Sequence, residues 1–249
     1  MSGGLVVIKI GGSVLTGRHA YRRTAEFIAD RLTADPGIRI VAVVSAENGV
    51  TDALLATAVD IAGTPDAATL DLLWSTGELR SVALLTLALQ ARGVNAAAVN
   101  VHQAGLVSTR DDGGPGHAEV RRLRILALLG ERDVIVAPGF LARGAGDAVV
   151  SLGRGGSDLT AVLLAAGLEA ARCELVKDVP GYFTADPKRD PAARPLASLS
   201  YEGALEMADA GCQLVQRQAL QAAQELRVPL LISALAQERG TIINAEQGR

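Results

Sequence analysis

The sequence is short of the residues that build several common kinds of site. Aromatic side chains make up only 3% of its 249 residues. Hydrophobic residues reach 49%, so Leu, Val, Ile and Ala must fill any core. Two cysteines, Cys173 and Cys212, are too few and too far apart for a disulfide framework or a zinc site. They read as thiols in a reducing cytosol, which makes a cytoplasmic location the expectation. The three histidines show no spacing that suggests a metal site or a catalytic triad. A net charge of −3 gives no electrostatic case for nucleic acid or an anionic membrane. No run approaches the roughly 18 apolar residues of a membrane span. The N-terminus carries no basic, long apolar signal region. What remains is a chain expected to act on small molecules.

Its length suits one large α/β domain or two small lobes. Apolar, β-branched runs at 5–10, 38–44, 95–99, 133–136 and 175–176 read as strands. Helical patterns at 21–32, 51–61, 78–91, 119–129 and 157–170 alternate with them. The turn-rich stretch 139–147, ahead of 148–151, reads as a hairpin. This alternation predicts an α/β fold with a mostly parallel central sheet sandwiched by helices. Ligands of such sheets bind at the carboxyl ends of the strands.

Two glycine loops fall where that rule puts a site. Lys9-Ile10 ends the first strand, and Gly11-Gly12-Ser13 follow. Strand, glycine pair, helix is the layout of a phosphate cradle. It is neither a Walker A motif nor a dinucleotide fingerprint, because the spacing and the further residues are absent. Lys9 lies inside an apolar run, where a lysine is expensive unless it meets an anion. The second loop is Leu152-Gly153-Arg154-Gly155-Gly156-Ser157-Asp158, and an apolar helix follows it. Its glycines free backbone N–H groups, and the helix start adds more with a positive dipole end. Arg154 offers a planar fork for a carboxylate, and Asp158 an acceptor for an ammonium or a lysine. One loop can grip a zwitterion. An ordinary glycine turn with a capped helix is the alternative. Trp74 reads as packing rather than recognition.

Together these motifs resemble the amino acid kinase family, and within it the catalytic domains of aspartate kinases. Val43-Val44-Ser45-Ala46 with Gly49-Val50-Thr51-Asp52 is similar to that family's second substrate loop. Ser75-Thr76-Gly77-Glu78 with Ser81 resembles its Gly-Glu helix start, and Pro138-Gly139-Phe140 also fits. Lys177-Asp178-Val179-Pro180-Gly181-Tyr182-Phe183-Thr184-Ala185-Asp186-Pro187 resembles its nucleotide loop. The resemblance covers essentially the whole chain. It implies the amino acid kinase (carbamate kinase-like) fold in two lobes. Residues 1–150 would hold the amino acid and 151–249 the nucleotide, with no C-terminal ACT regulatory domain.

The implied activity is ATP-dependent phosphorylation of the side-chain carboxylate of L-aspartate, with Mg2+ carried as the nucleotide complex and no metal ligand from protein. Lys9 and Asp158 would be catalytic, and Gly11, Gly12 and Ser13 would bind phosphate. Ser45, Thr51, Glu78, Arg154, Gly155 and Ser157 would hold the acceptor. Glu78 and Asp158 would meet the ammonium or position the lysine. Lys177, Asp178, Tyr182, Phe183, Asp186, Lys188 and Gln213 would serve the nucleotide. A homodimer or higher homo-oligomer is implied, with a separate regulatory chain as a further partner.

Two departures stand out. Val14 replaces a second serine. Gln213 stands where the family has a lysine at a helix start that reaches the nucleotide phosphates, and a glutamine carries no charge. Arg217 or Lys177 would have to compensate. Glu47-Asn48 is also unusual in the second substrate loop. These features keep two rivals open: a same-fold kinase of another carboxylate-bearing amino acid or metabolite, and a non-catalytic nucleotide- or amino-acid-binding regulatory subunit.

Overall fold

A computed structural model describes residues 4–109, 118–153, 155–187, 189–235 and 237–245. In chain order the first half comprises β1 (Leu5–Ile10), α1 (Arg18–Ala34), β2 (Arg39–Val44), α2 (Val50–Ala62), α3 (Ala67–Gln90), β3 (Ala96–Ala98), α4 (Val101–Ala104), β4 (Leu106–Ser108), β5 (Ala118–Val120) and α5 (Leu123–Leu129). Then follow β6 (Val134–Pro138), β7 (Leu141–Arg143), β8 (Val149–Ser151), α6 (Gly156–Gly167), β9 (Arg172–Lys177), β10 (Ser198–Ser200), α7 (Tyr201–Asp209), α8 (Arg217–Leu226), β11 (Leu230–Ala234) and β12 (Gln237–Asn244).

Eight strands form the main sheet in the order β10-β12-β11-β9-β1-β2-β6-β3. Every neighbouring pair is parallel except β11 with β12. The central strands LVVIKI, RIVAVV and VIVAP are buried almost throughout, as strands covered on both faces must be. Alternation along β1 sends Val7 to one core and Val6, Ile8 and Ile10 to the other. The first core is closed by α4 to α8 and the second by α1 and α3. The sheet therefore delivers Gly11, Ser45, Gly139 and Lys177 to one edge, at or just past the ends of β1, β2, β6 and β9. A smaller sheet, β5-β4-β7-β8, contains the expected 139–151 hairpin as antiparallel β7 and β8. Cys173 and Cys212 are both free.

Two sequence expectations are corrected. The helical pattern at 119–129 begins as strand β5, because Leu106 and Val107 of β4 pair with Val120 and Glu119. The helix starts only at Leu123. Gly77-Glu78 is not a helix start. It lies inside α3, which begins at Ala67 behind an Asp66 cap that accepts the Thr69 N–H at 2.9 Å. By length and composition α3 would also pass as a membrane-crossing helix, although Asp71, Glu78 and Arg80 interrupt it. Its buried face, with Ser75, Glu78, Ser81, Val82, Leu85 and Leu89, packs into this fold instead.

Glu174 on β9 is a buried charge outside the loops. Its Oε1 meets Arg31 of α1 and Arg172, each at 2.7 Å. The Arg31 guanidinium also lies 4.7 Å from the centre of the Phe27 ring. Stripping a buried carboxylate of its partners costs about 3–5 kcal/mol. The Arg31→Ala/Arg172→Ala double variant should lose that much in urea unfolding, and Glu174→Leu should lose less. A double variant as stable as the wild-type chain would contradict this.

Candidate active site

Lys9 comes into the site from β1 and Asp158 from the first turn of α6. Gly155 caps that helix in the left-handed region, at φ 79°. Asp158 stands at the positive end of the helix dipole, which favours a carboxylate. Lys9 Nζ is 2.8 Å from Asp158 Oδ1. Lys177, at the end of β9, donates to Asp158 Oδ2 at 2.7 Å. Burial alone would raise the Asp158 pKa, but the two ammonium groups outweigh it and hold the carboxyl down at about 2. Burial and the neighbouring Lys9 push Lys177 in turn below the ordinary lysine range, while Asp158 opposes them. Two cations share one anion here. A buried excess of positive charge is a standing demand for a further anion.

The glycine loop after β1 is built for close approach. A Cβ on Gly12 would lie 2.4 Å from the Ala46 carbonyl oxygen, so no larger residue fits. The Asn48 N–H donates to the Gly12 carbonyl at 3.2 Å, joining the two loops. The Gly11 N–H is engaged with the Val176 carbonyl at 3.3 Å. That hydrogen bond ties β1 to β9 at the start of the loop.

A cavity of about 630 Å³ opens beside Lys9, Asp158 and Lys177. Ser45, Thr51, Glu78, Gly155 and Ser157 line it, which brings the acceptor residues expected from sequence into one space. Glu78 is 3% exposed, and its Oε2 has no partner. Burial raises its pKa from 4.5 to about 8, against the pull of the Ala46 backbone N–H and of Lys9. The loop carrying Ser45 is held from behind. Glu47 Oε1 accepts from the Tyr21 hydroxyl at 3.0 Å and lies 3.4 Å from Arg80. The same hydroxyl is 3.0 Å from Ser81 Oγ on α3. Burial, first among several influences, pushes Tyr21 up to about 12. Gly77 lets α3 approach this loop, since a Cβ there would lie 3.2 Å from Ala46.

Other lining residues escaped the sequence reading. Leu55, Trp74 and Phe140 form an apolar wall, so Trp74 faces the cavity as well as packing. The Trp74 and Phe140 rings meet edge to face at 5.7 Å. Phe140 adopts φ 68°, an uncommon conformation for a residue other than glycine. The Pro-Gly-Phe motif was the only hint of it. Gln216 fills the space that a side chain on Gly155 would need, with its Cγ 2.2 Å from a Cβ built there. Nothing in the sequence pattern marks Gln216.

The nucleotide residues are brought together less completely. Asp178 and Lys177 line a second cavity of about 770 Å³ with Ser13, Val14 and residues of α1. Ser13 thus belongs to this cavity rather than the acceptor one. Tyr182 is 1% exposed within the core, so its ring is spent on packing. Phe183 is half-buried and bridges to Pro195. Asp186 caps a turn, its carbonyl accepting from the Arg189 and Asp190 N–H groups. Gln213 is exposed in the turn between α7 and α8, not at a helix start. Arg217 is paired with Asp209 at 2.7 Å on the surface. Arg154 and Lys188 lie outside the described residues.

The profile of the amino acid kinase family matches residues 4–233. The aspartokinase of Geobacillus stearothermophilus is 34% identical over 244 residues, covering 98% of this chain and 60% of the relative. The chain thus spans about three fifths of that relative's length. Among solved structures, the aspartate kinase from Synechocystis superposes with a TM-score of 0.86 at 33% identity, over 98% of this chain and 41% of that one. Aspartokinase III of E. coli, solved in complex with aspartate and ADP, superposes with a TM-score of 0.82 at 26% identity, over 98% and 65%.

Glu78 gives a pH-dependent prediction. Its folded pKa, about 8, lies above its ordinary 4.5. The stability it allows is therefore complete below the ordinary value and is lost as pH rises through about 8. Glu78→Gln should remove that slope and raise Tm at pH 8, by roughly 2–4 °C for each kcal/mol relieved. Scanning calorimetry across this window checks it. An unchanged slope in the variant would contradict it.

Proposed function

The chain belongs to the amino acid kinase family, and from that premise we propose that it transfers the γ-phosphoryl group of ATP to the side-chain carboxylate of L-aspartate. One observation carries this reading. A buried carboxylate with an unpartnered oxygen, Glu78, shares a cavity with buried Lys9 and partly buried Lys177. That pairing suits a zwitterion whose own carboxylate must meet a phosphate.

The amino acid would lie over the 1–150 part and the nucleotide over 151–249. Glu78 takes the ammonium, and Arg154 keeps the α-carboxylate role its place in the sequence suggests. Ser45 and Thr51 donate hydroxyls to the reacting carboxylate, while Gly155 and Ser157 bound the space around it. An oxygen of this carboxylate attacks the γ-phosphorus in line. The new P–O bond forms as the bond to the ADP oxygen breaks. Attacking and leaving groups are both ionised, so no proton is transferred. The protein's part is positioning and charge neutralisation. Lys9 meets the transferring phosphoryl, and Asp158 orients Lys9. The N–H groups of Gly12 and Ser13 supply the cradle. Asp178, Phe183, Asp186 and Lys188 serve the nucleotide.

Among the described residues no group of three His, Cys, Asp or Glu is placed to hold a metal ion. Asp158 is already taken by two lysines. Magnesium would arrive on the nucleotide phosphates and shield their charge there. The wall of Leu55, Trp74 and Phe140 favours a second reading, in which the acceptor carries an apolar extension beyond aspartate.

An ADP-release assay over aspartate, glutamate and β-alkyl aspartates separates the two readings. Aspartate should lead by at least tenfold in kcat/KM, and turnover on none of them would overturn both. Lys9→Ala should lower kcat by roughly 10²-fold or more, while the variant stays folded because Lys177 still neutralises Asp158. An unchanged kcat would remove Lys9 from the chemistry.

A further inference from the structure

Asp158 needs one cation to be neutralised in the interior, and the fold gives it two. Lys177 is the one without a structural reason. It ends a strand, is 12% exposed at its side chain, and lines both the acceptor cavity and the cavity beside α1. Its ammonium has three donors, and Asp158 takes one of them. The alternative cation, Arg217, is held on the surface by Asp209. The residue expected near the nucleotide phosphates, Gln213, is exposed and uncharged.

We infer that Lys177 is a second catalytic cation, which contacts the terminal phosphates of the nucleotide from the wall between the two cavities. This rests on the kinase reading above. Before substrates arrive, Asp158 holds Lys177 in place and satisfies its charge. When the phosphates enter, the Lys177 donors not taken by Asp158 turn to them. Lys9 and Lys177 then flank the transferring group, and the charge that builds on the ADP oxygen as its bond to phosphorus breaks has a cation beside it. Burial and the nearby Lys9 both weaken the hold of Lys177 on its proton, and an arriving polyphosphate reverses that. The charge that the turn at Gln213 lacks is supplied instead from the end of β9.

Lys177→Gln is the decisive variant, because an amide can still donate to Asp158 while the charge is gone. Lys177→Met and Lys177→Arg accompany it. Affinities for ATP, ADP and AMP are read by isothermal titration calorimetry, and kcat by ADP release. Lys177→Gln and Lys177→Met should weaken ATP and ADP at least tenfold, leave AMP within twofold, and lower kcat at least a hundredfold. Lys177→Arg should recover a tenth or more of the wild-type kcat. A residue that only props up Asp158 would not discriminate by the number of phosphates. If the wild-type chain binds ATP and folded Lys177→Gln binds it within twofold, the inference is overturned and the kinase reading stands. If the wild-type chain itself binds no ATP, the kinase reading falls and takes this inference with it.

Discussion

Asp158 is a buried carboxylate with an ammonium group on each oxygen, Lys9 at 2.8 Å and Lys177 at 2.7 Å. The three groups come from three elements: a central strand, its neighbour in the sheet, and a helix on one face. β1 and β9 pair in parallel, so Lys9 and Lys177 end up at the same edge. Gly155 turns the chain into α6 so that Asp158 reaches both. Removing the aspartate would leave two buried cations with nothing between them. Keeping it leaves one ammonium that Asp158 does not match and that Asp178 attracts from beside Lys177, at a place open to two cavities. The proposed affinity of this site for a polyanion would follow from that imbalance more than from any single hydrogen bond.

The surrounding structure frames this charge set from one side. The Gly12 loop and the Ala46 loop approach within a distance that no side chain permits. Glu47, Tyr21 and Ser81 then anchor the second loop to α1 and α3. Such a frame positions Ser45 and Glu78 relative to the lysines before any ligand is present, which is how an enzyme meets the entropic cost of alignment in advance. Glu78 is the counterpart in cost. Its burial makes the empty site less stable near neutral pH, and the natural relief is an ammonium-bearing ligand. Function and stability are opposed at that residue, as is common where a site is preorganised.

Much of this was legible in the sequence. The β-branched runs of β1, β2 and β6 admit few readings besides buried parallel strands, and glycines at their ends announce a ligand. Lys9 in an apolar strand called for an anion, and Asp158 behind two glycines offered an acceptor for an ammonium or a lysine. The misreadings have physical causes. Residues 119 and 120 belong to a helical pattern but are recruited as a strand by β4, a tertiary override of local preference. Gly77 looked like a helix boundary and is instead a contact point inside α3. Trp74 and Gln216 face the cavity only because of how α3 and the α7–α8 turn pack, and no local pattern encodes that. Tyr182 sits in a ligand-like motif, yet its ring is core. The pairing of Lys177 with Asp158 depends on the register of β9 against β1, which spacing along the chain does not reveal.

The charge balance of the site depends on Asp158 being ionised and shared by both lysines. Carbon-13 NMR of the Asp158 side-chain carboxyl, assigned by comparison with Asp158→Asn, tests this directly in the unliganded protein. The resonance should stay at its carboxylate position from pH 8 down to pH 4, because the group is held at about 2. A titration midpoint at or above the ordinary aspartate value, about 3.9, would show that the two lysines do not hold this carboxylate, and the charge balance argued here would be wrong.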